Sequence, residues 1–275
     1  MSLDREQLLG VAYAERQRLG RMIQYAEPET WELASAADGW WNRDVLAHLA
    51  ASDTAAAQLM AGEPATELEQ FRSAHDGAFD VDAFNAWTVS RRSGAEIREL
   101  IETWGKAAES CVAYAALLTD ERWATARFPW LAGDIAARYL VQSRIVEWFL
   151  HGEDMRATNG LGPQYQHWPV HLTIDLGVRM LPWALSQAGY ELEGRSLLVE
   201  VQGAGQGSWH WGLGSGEVPP GAKKPDATLR GRAPQLALVA GRRLSADDVT
   251  ASGAVVLGGD RELAGVVLQQ LRAYP

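Results

Sequence analysis

Residues 144–156 read Arg-Ile-Val-Glu-Trp-Phe-Leu-His-Gly-Glu-Asp-Met-Arg, and their periodicity predicts one long helix. Within this segment Glu147 and His151 are four residues apart. Side chains with this spacing lie above one another on the same face of a helix. A carboxylate and an imidazole in such positions can bind one metal ion together.

A second histidine, His48, lies in the segment Asp-Val-Leu-Ala-His-Leu-Ala of residues 44–50. Its neighbours are apolar, and a buried imidazole needs a polar partner. In a helical bundle the second and fourth helices can be adjacent, so His48 could face Glu147 and His151. These three residues predict a zinc site with a fourth position open to water or substrate. Separations above about 6 Å would exclude it, because coordination lengths are near 2 Å.

A second interpretation of the same helix stays open at this point. Arg144, Glu147, His151 and Asp154 follow one another at steps of three or four, which also fits a solvated, salt-bridged face. The sequence pattern alone does not decide between a metal site and this surface stripe.

Composition limits the classes of function. With 275 residues, 47% of them hydrophobic, the chain can form one large domain or two moderate ones. We expect a soluble cytoplasmic protein, because the sequence has no apolar run of about 18 residues and no signal-peptide pattern. A net charge of −10 argues against a nucleic-acid partner, so we expect small-molecule partners and no membrane association; the oligomeric state stays open. The single cysteine, Cys111, is expected to be a buried core thiol.

The sequence predicts an α+β protein of two domains. Residues 1–162 are expected to form a four-helix bundle with longer loops at 62–80 and 119–133, and residues 163–275 a small α+β domain. In the second domain, alternation and helical periodicity predict a helix at 168–188, strands at 196–201, 208–213 and 227–230, and helices at 234–240 and 261–271. Gly203, Gly205 and Gly207 are expected in a hairpin connection, since a nucleotide-binding motif would need a following helix.

Two segments resemble a known family. Gly-Trp-Trp-Asn-Arg-Asp-Val-Leu-Ala-His-Leu at residues 39–49 and Arg-x-x-Glu-x-x-x-His-x-x-Asp-x-Arg at residues 144–156 are similar to the mycothiol-dependent maleylpyruvate isomerases, a branch of the DinB-like metal-binding bundles. In that family the residues matching His48, Glu147 and His151 bind zinc. The resemblance also implies mycothiol as thiol cosubstrate and a sterol-carrier-like second domain.

One position departs from the family pattern. The family usually has Ser or Thr after the first tryptophan of the motif, where this chain has Trp41. A Ser or Thr there would cap the helix and form a capping box with Asp44. The start of the second helix is therefore predicted only to within a residue or two, with Asp38 or Asn42 as substitute caps.

The resemblance implies an enzyme that isomerises a small electrophile by reversible thiol addition, or transfers the thiol to it. Catalytic candidates are Arg144, Asp154, Arg230 and Arg232. Asp154 could orient a ligand or be a surface carboxylate, and Arg144 could pair with acidic neighbours or receive a substrate carboxylate. An arginine of the second domain is expected to assist, and Arg230 and Arg232 are both candidates.

Two other interpretations stay open. The chain could be a non-catalytic module that holds a metal or a small apolar ligand, or it could keep the fold with catalysis lost. The remaining histidines lack ligand spacing and are expected to have ordinary structural roles: His75, His167, His171 and His210.

Overall fold

The protein is described by a computed structural model that covers residues 3–75, 79–131, 133–214, 216–218 and 224–274. The chain divides into two compact units, Ser2–Pro163 and Gln164–Pro275. The first unit is mainly helical and the second combines helices with a sheet, so the chain is α+β as predicted. None of the described helices is both long enough and apolar enough to cross a membrane.

Four long helices form the N-terminal unit. Counting only these four long helices in chain order, the second packs against the third and the fourth, and the first packs against the fourth. The helices and strands of this unit are α1 (Arg5–Gln24), α2 (Asn42–Ala61), α3 (Thr66–Ala74), α4 (Val81–Ser90), α5 (Ile97–Leu117), α6 (Asp120–Thr125), β1 (Arg127–Trp130), β2 (Gly133–Ala136) and α7 (Ala137–Thr158). The four long helices α1, α2, α5 and α7 are those that the apolar periodicity predicts.

The two predicted loops contain regular structure, so that part of the prediction is wrong. Within 62–80 lies α3, and α4 follows; within 119–133 lie α6 and most of a β1–β2 hairpin. These elements are four to ten residues long, so their periodic signal is weaker than that of the four long helices. Residues 76–78 and 132 of the predicted loops lie outside the described residues.

Helix α2 begins at Asn42 although the side chain of its N-cap residue, Trp41, has no oxygen that could accept a hydrogen bond from the first turn. The Asp44 carboxylate accepts a hydrogen bond from the Trp41 N–H at 3.0 Å, so half of a capping box remains. Asn42 is buried and its side-chain amide donates to the Thr30 carbonyl at 2.8 Å. These contacts fix the helix start, and therefore the rotation that points His48 inward.

The C-terminal unit is a five-stranded mixed sheet with helices. Its elements are α8 (His167–Gln187), β3 (Ser196–Gln202), β4 (Gly207–Gly212), β5 (Gly216–Glu217), β6 (Ala227–Arg232), α9 (Ala233–Ala240), α10 (Ala246–Ala251), β7 (Val255–Gly259) and α11 (Arg261–Gln270). The strand order is β5-β4-β3-β6-β7, with β3 and β6 parallel and the other pairs antiparallel. Sequence patterns missed β5, α10 and β7. The likeness of this unit to a sterol-carrier-like domain stays a prediction.

The core of this unit follows from strand alternation. Leu197, Val199 and Val201 of β3 are buried, and Val199 lies opposite Trp209 on β4 and Leu229 on β6. Strands β3 and β4 form the predicted antiparallel hairpin. In the connection between these two strands, Gly203 and Gly205 have positive φ angles, which glycine adopts without steric cost.

Candidate metal centre

Helices α2 and α7 bring the three predicted ligands together. Nε2 of His48 lies 3.1 Å from Oε2 of Glu147, and Nε2 of His151 lies 3.2 Å from the same oxygen. One potential ligand atom from each of the three residues lies within 4.8 Å of the others. The separation is below the limit of about 6 Å that would exclude a shared ion.

These distances fit the donor set of a zinc site. Ligand atoms at about 2.0–2.2 Å from a tetrahedral ion are about 3.3 Å apart, close to the two Nε2–Oε2 separations. Two imidazole nitrogens and one carboxylate oxygen are also ligands that zinc accepts readily. A divalent cation among them would replace the hydrogen bonds that now join both imidazoles to Glu147.

The charge of the surrounding groups favours a cation. Glu147 and Asp154 on α7 and Asp53 on α2 are buried carboxylates, and Arg144 is the buried guanidinium among them. With neutral imidazoles these groups carry a formal charge of −2, which is costly in a buried site without a counter-ion. A divalent cation would balance this charge.

The ionisation states suit metal binding. Burial alone would raise the pKa of Glu147, but hydrogen bonds from His151 and His48 and the charge of Arg144 outweigh it and hold the pKa well below its usual range. Burial lowers the pKa of His48 although Glu147 opposes this shift. Glu147 is therefore an anion and His48 neutral near pH 7, which are the forms that bind a metal.

Asp154 fixes the orientation of His151. Its Oδ2 lies 3.0 Å from Nδ1 of His151, so the ring directs Nε2 toward Glu147. Hydrogen bonds of this kind orient metal-binding imidazoles and select their tautomer. His48 differs, because its Nδ1 is buried without a hydrogen-bond partner among the described residues.

Arg144 is held between two carboxylates. Its Nη1 lies 3.3 Å from Oδ1 of Asp53, and its Nη2 lies 3.9 Å from Oε1 of Glu147. Trp148 donates from Nε1 to the other Asp53 oxygen at 2.7 Å, and the guanidinium lies 5.0 Å from the ring centre of Trp130. The four polar residues of the α7 stripe are all buried, so a solvated face is excluded.

Trp40 covers one side of the histidine pair. Its ring centre lies 5.1 Å from that of His48 and 6.3 Å from that of His151, and it is stacked on the latter. The neighbouring Trp41 is instead exposed. Trp40 therefore forms an aromatic wall beside the imidazoles.

The comparison with protein families agrees with this geometry. Residues 12–156 match the model of the mycothiol maleylpyruvate isomerase N-terminal domain. The match spans more than half of the chain and includes all three candidate ligands.

The chain belongs to this family. Among solved structures, the crystal structures of the mycothiol-dependent maleylpyruvate isomerase and of a histidine-to-alanine mutant of it are similar to the chain. Each has a TM-score of 0.61 and 14% sequence identity, with 94% of this chain and 95% of the other covered. At this identity the likeness shows a shared fold. No curated protein matches the chain.

Sequence reasoning on this maleylpyruvate isomerase family member missed Asp53. The residue is fully buried, and burial raises its pKa to about 6 in spite of the neighbouring Arg144 and Trp148. The available signal is its place in the run Ala-Ala-Ser-Asp-Thr-Ala-Ala-Ala at residues 50–57, where a lone carboxylate among small residues indicates a buried partner.

The two remaining predicted residues, Arg230 and Arg232, lie on strand β6. Arg230 on β6 is exposed and pairs with Glu200 at 2.7 Å, and Arg232 is exposed at the end of the same strand. Both belong to the C-terminal unit of this family member, and their catalytic assignment stays a prediction. Among the described residues, His48, Glu147 and His151 form the one cluster of three or more metal-binding groups.

Proposed function

We propose that the chain is a cytoplasmic, zinc-dependent enzyme that uses mycothiol to isomerise, or to transfer the thiol to, a small electrophile. The observation that carries the proposal is the convergence of three buried donor atoms within 4.8 Å in a chain of the mycothiol maleylpyruvate isomerase family. The donor set leaves one tetrahedral position for a ligand from solution.

Zinc bound there would lower the pKa of an incoming thiol far below about 8.5 and so supply a thiolate at neutral pH. The protein's own cysteine is unsuitable, because Cys111 is buried and burial raises its pKa well above the usual value. The nucleophile of the proposed reaction is therefore a thiol from solution.

The ligand residues have distinct tasks. Glu147 supplies the negative charge, while His48 and His151 are neutral donors, so the bound ion would keep one unit of positive charge to stabilise an anion at the open position. Asp154 holds His151 through Nδ1 and restricts rotation of its ring. We assign Asp154 a positioning role on this contact.

Arg144 also has a positioning role in this proposal. Its guanidinium is only 2% exposed and is already engaged by Asp53 and Glu147, which leaves little room for a substrate carboxylate. Its charge adds to the hydrogen bonds from His151 and His48 that keep Glu147 ionised, and its Nη2 lies 3.9 Å from Oε1 of Glu147, the oxygen that does not face the histidines. Binding of a substrate carboxylate is assigned instead to an arginine of the C-terminal unit, with Arg230 and Arg232 as candidates.

Trp40 would limit water near the open position. Its ring stacks on His151 and contacts His48, so one approach to the histidine nitrogens is covered by an apolar surface. Exclusion of water strengthens electrostatic interactions within such a site. A planar unsaturated substrate would also be compatible with an aromatic wall.

The proposal is tested by thiol consumption. Zinc-loaded protein is mixed with mycothiol and either maleylpyruvate or a panel of simple electrophiles, and free thiol and substrate are followed together. Substrate loss without net thiol loss supports isomerisation, and equal loss of both supports S-transfer. The metal-free protein and Glu147→Gln are the controls, and both should be inactive.

A different outcome would favour the non-catalytic interpretation. If the protein binds zinc but neither thiol nor substrate is consumed faster than in the Glu147→Gln control, catalysis is excluded for the compounds tested. If the metal-free protein is as active as the loaded protein, zinc dependence is wrong.

A further inference from the structure

The two oxygens of Glu147 face different groups. Oε2 lies 3.1 Å from Nε2 of His48 and 3.2 Å from Nε2 of His151, whereas Oε1 lies 3.9 Å from Nη2 of Arg144. A carboxylate can bind a metal ion through one oxygen or through both. The direction of Oε1 therefore decides how many coordination positions Glu147 would take.

Arg144 is itself held by Asp53 on α2. Nη1 of Arg144 donates to Oδ1 of Asp53 at 3.3 Å, and Nε1 of Trp148 donates to Oδ2 of Asp53 at 2.7 Å. Because the guanidinium is a rigid plane, the bond from Nη1 to Asp53 also restricts the direction of Nη2, which faces Glu147. Asp53 thus constrains the group beside Oε1.

The spacing along α7 strengthens this link. Arg144 and Trp148 are four residues apart, so they lie on one face of the helix, and Glu147 stands between them in the sequence. Asp53 accepts from both and so holds α7 on either side of Glu147. The same helix α2 carries His48, which contacts Oε2. Both oxygens of Glu147 are therefore positioned, directly or through Arg144, by α2.

Stability alone gives little reason for this buried ion pair. Asp53 is 0% exposed and Arg144 is 2% exposed, so both charges have lost their hydration. Replacing a buried ion pair by apolar residues of similar volume is often neutral or stabilising. The position of the pair, with its free end toward a candidate metal ligand, indicates a role in the metal centre.

We propose that Asp53 is a positioning residue of the metal centre, which acts through Arg144 to hold Oε1 of Glu147 away from the ion. Glu147 then binds zinc through Oε2 alone, and the fourth position stays open for the thiol. This inference rests on the proposed function and adds to it the residue that keeps the open position vacant.

The experiment loads the full-length protein with cobalt(II), whose visible absorption is weaker with five donor atoms than with four. Asp53→Asn keeps the side-chain volume, but its one amide oxygen cannot accept from Arg144 and Trp148 at separate atoms as the carboxylate does. We expect this variant to bind about one cobalt per chain with a weaker visible absorption than wild type. Its affinity for 2-mercaptoethanol, the thiol probe, should fall roughly tenfold, which is typical of losing an outer partner of a metal ligand.

Glu15→Gln is the matched control. Glu15 is a buried carboxylate of α1 that also pairs with an arginine, Arg18, at 2.6 Å, and it is not a member of the ligand cluster. Its cobalt spectrum and thiol affinity should equal those of wild type. An equal change in Glu15→Gln and Asp53→Asn would overturn the proposal, because both would then report a general loss of packing.

A second variant tests whether Asp53 acts through Arg144. Arg144→Gln should reproduce the spectral change, and the double variant with Asp53→Asn should bind the thiol no more weakly than the weaker single variant. Losses that add in the double variant would overturn the link. If wild type binds metal and thiol and both single variants match it, only the role of Asp53 is wrong. If wild type binds no metal, the proposed function fails and this inference fails with it.

Discussion

Burial shifts the ionisation of Asp53, a residue beside the candidate metal centre, toward the neutral form. It is a fully buried carboxylate that accepts from Trp148 and Arg144, while Arg144 also faces the candidate ligand Glu147. A chain of alternating charges thus extends from Asp53 to the ligand. The two ligand motifs could be predicted from spacing and family resemblance, but Asp53 could not, because its partners are distant in sequence.

We predict that Asp53 makes stability depend on pH in a recognisable way. Its pKa in the folded protein is about 6, above the ordinary 3.8, so the folded state binds more protons than the unfolded state between these values. The contribution of Asp53 to the free energy of unfolding should therefore fall as pH rises from about 4 to about 6, by up to about 3 kcal/mol.

Urea unfolding of the metal-free protein and of Asp53→Asn across this pH range checks the prediction. Glu147 contributes stability that is lost on acidification, but it is present in both proteins and cancels to first order in the comparison. As pH rises from about 4 to about 6, the free energy of unfolding of Asp53→Asn should increase relative to that of wild type. A difference that does not change with pH would contradict the raised pKa.

Cys111 gives a second prediction for a single residue. The thiol is buried, its Sγ lies 3.1 Å from the Asp53 carbonyl, and burial raises its pKa well above the ordinary value. We expect no reaction with a disulfide reagent such as DTNB at pH 8 in the folded protein, and about one thiol per chain after unfolding. Cys111→Ala provides the blank. Rapid reaction of one thiol in the folded protein would reopen a role for Cys111 as nucleophile.

Among the helices of the N-terminal unit, the four long ones are those that the sequence reveals. Helices α1, α2, α5 and α7 have 20 to 22 residues each, enough turns for an apolar stripe to be recognised. The missed elements α6 and α10 have six residues and β1 has four. Their formation depends on contacts with the rest of the fold, which local periodicity does not report.

The β3–β4 turn provides a prediction at this scale. A Cβ on Gly205 would lie 2.3 Å from Cγ1 of Val170 on α8, and φ at this glycine is 92°. Gly203 has φ of 88° but no atom within 4 Å of such a Cβ. Gly203→Ala should cost about 1 kcal/mol from backbone strain alone, whereas Gly205→Ala should cost a further 1–3 kcal/mol or so from overpacking.

Urea denaturation of the two glycine variants beside wild type measures this difference. Because the backbone strain is similar in both, their difference isolates the contact between the turn and α8. Equal destabilisation by the two substitutions would show that this contact is not close.

In the whole molecule, the candidate site depends on the packing of α2 against α7. His48 is 99 residues from Glu147 in sequence, yet the two side chains are in contact. The sequence predicted a bundle and proposed that these helices are neighbours, but it left a solvated face as an alternative. Only the packed fold, in which every residue from 140 to 155 is buried, decides between them.

The central claim is that His48, Glu147 and His151 together bind one zinc ion, and metal content of purified protein tests it most directly. Elemental analysis of wild type, His151→Ala and Glu147→Ala is done beside Glu109→Ala, an exposed carboxylate on α5, with helix content followed by circular dichroism. Wild type and Glu109→Ala should hold about one zinc per chain. His151→Ala and Glu147→Ala should hold almost none while keeping most of their helix. Unchanged zinc content in both ligand variants would contradict the account.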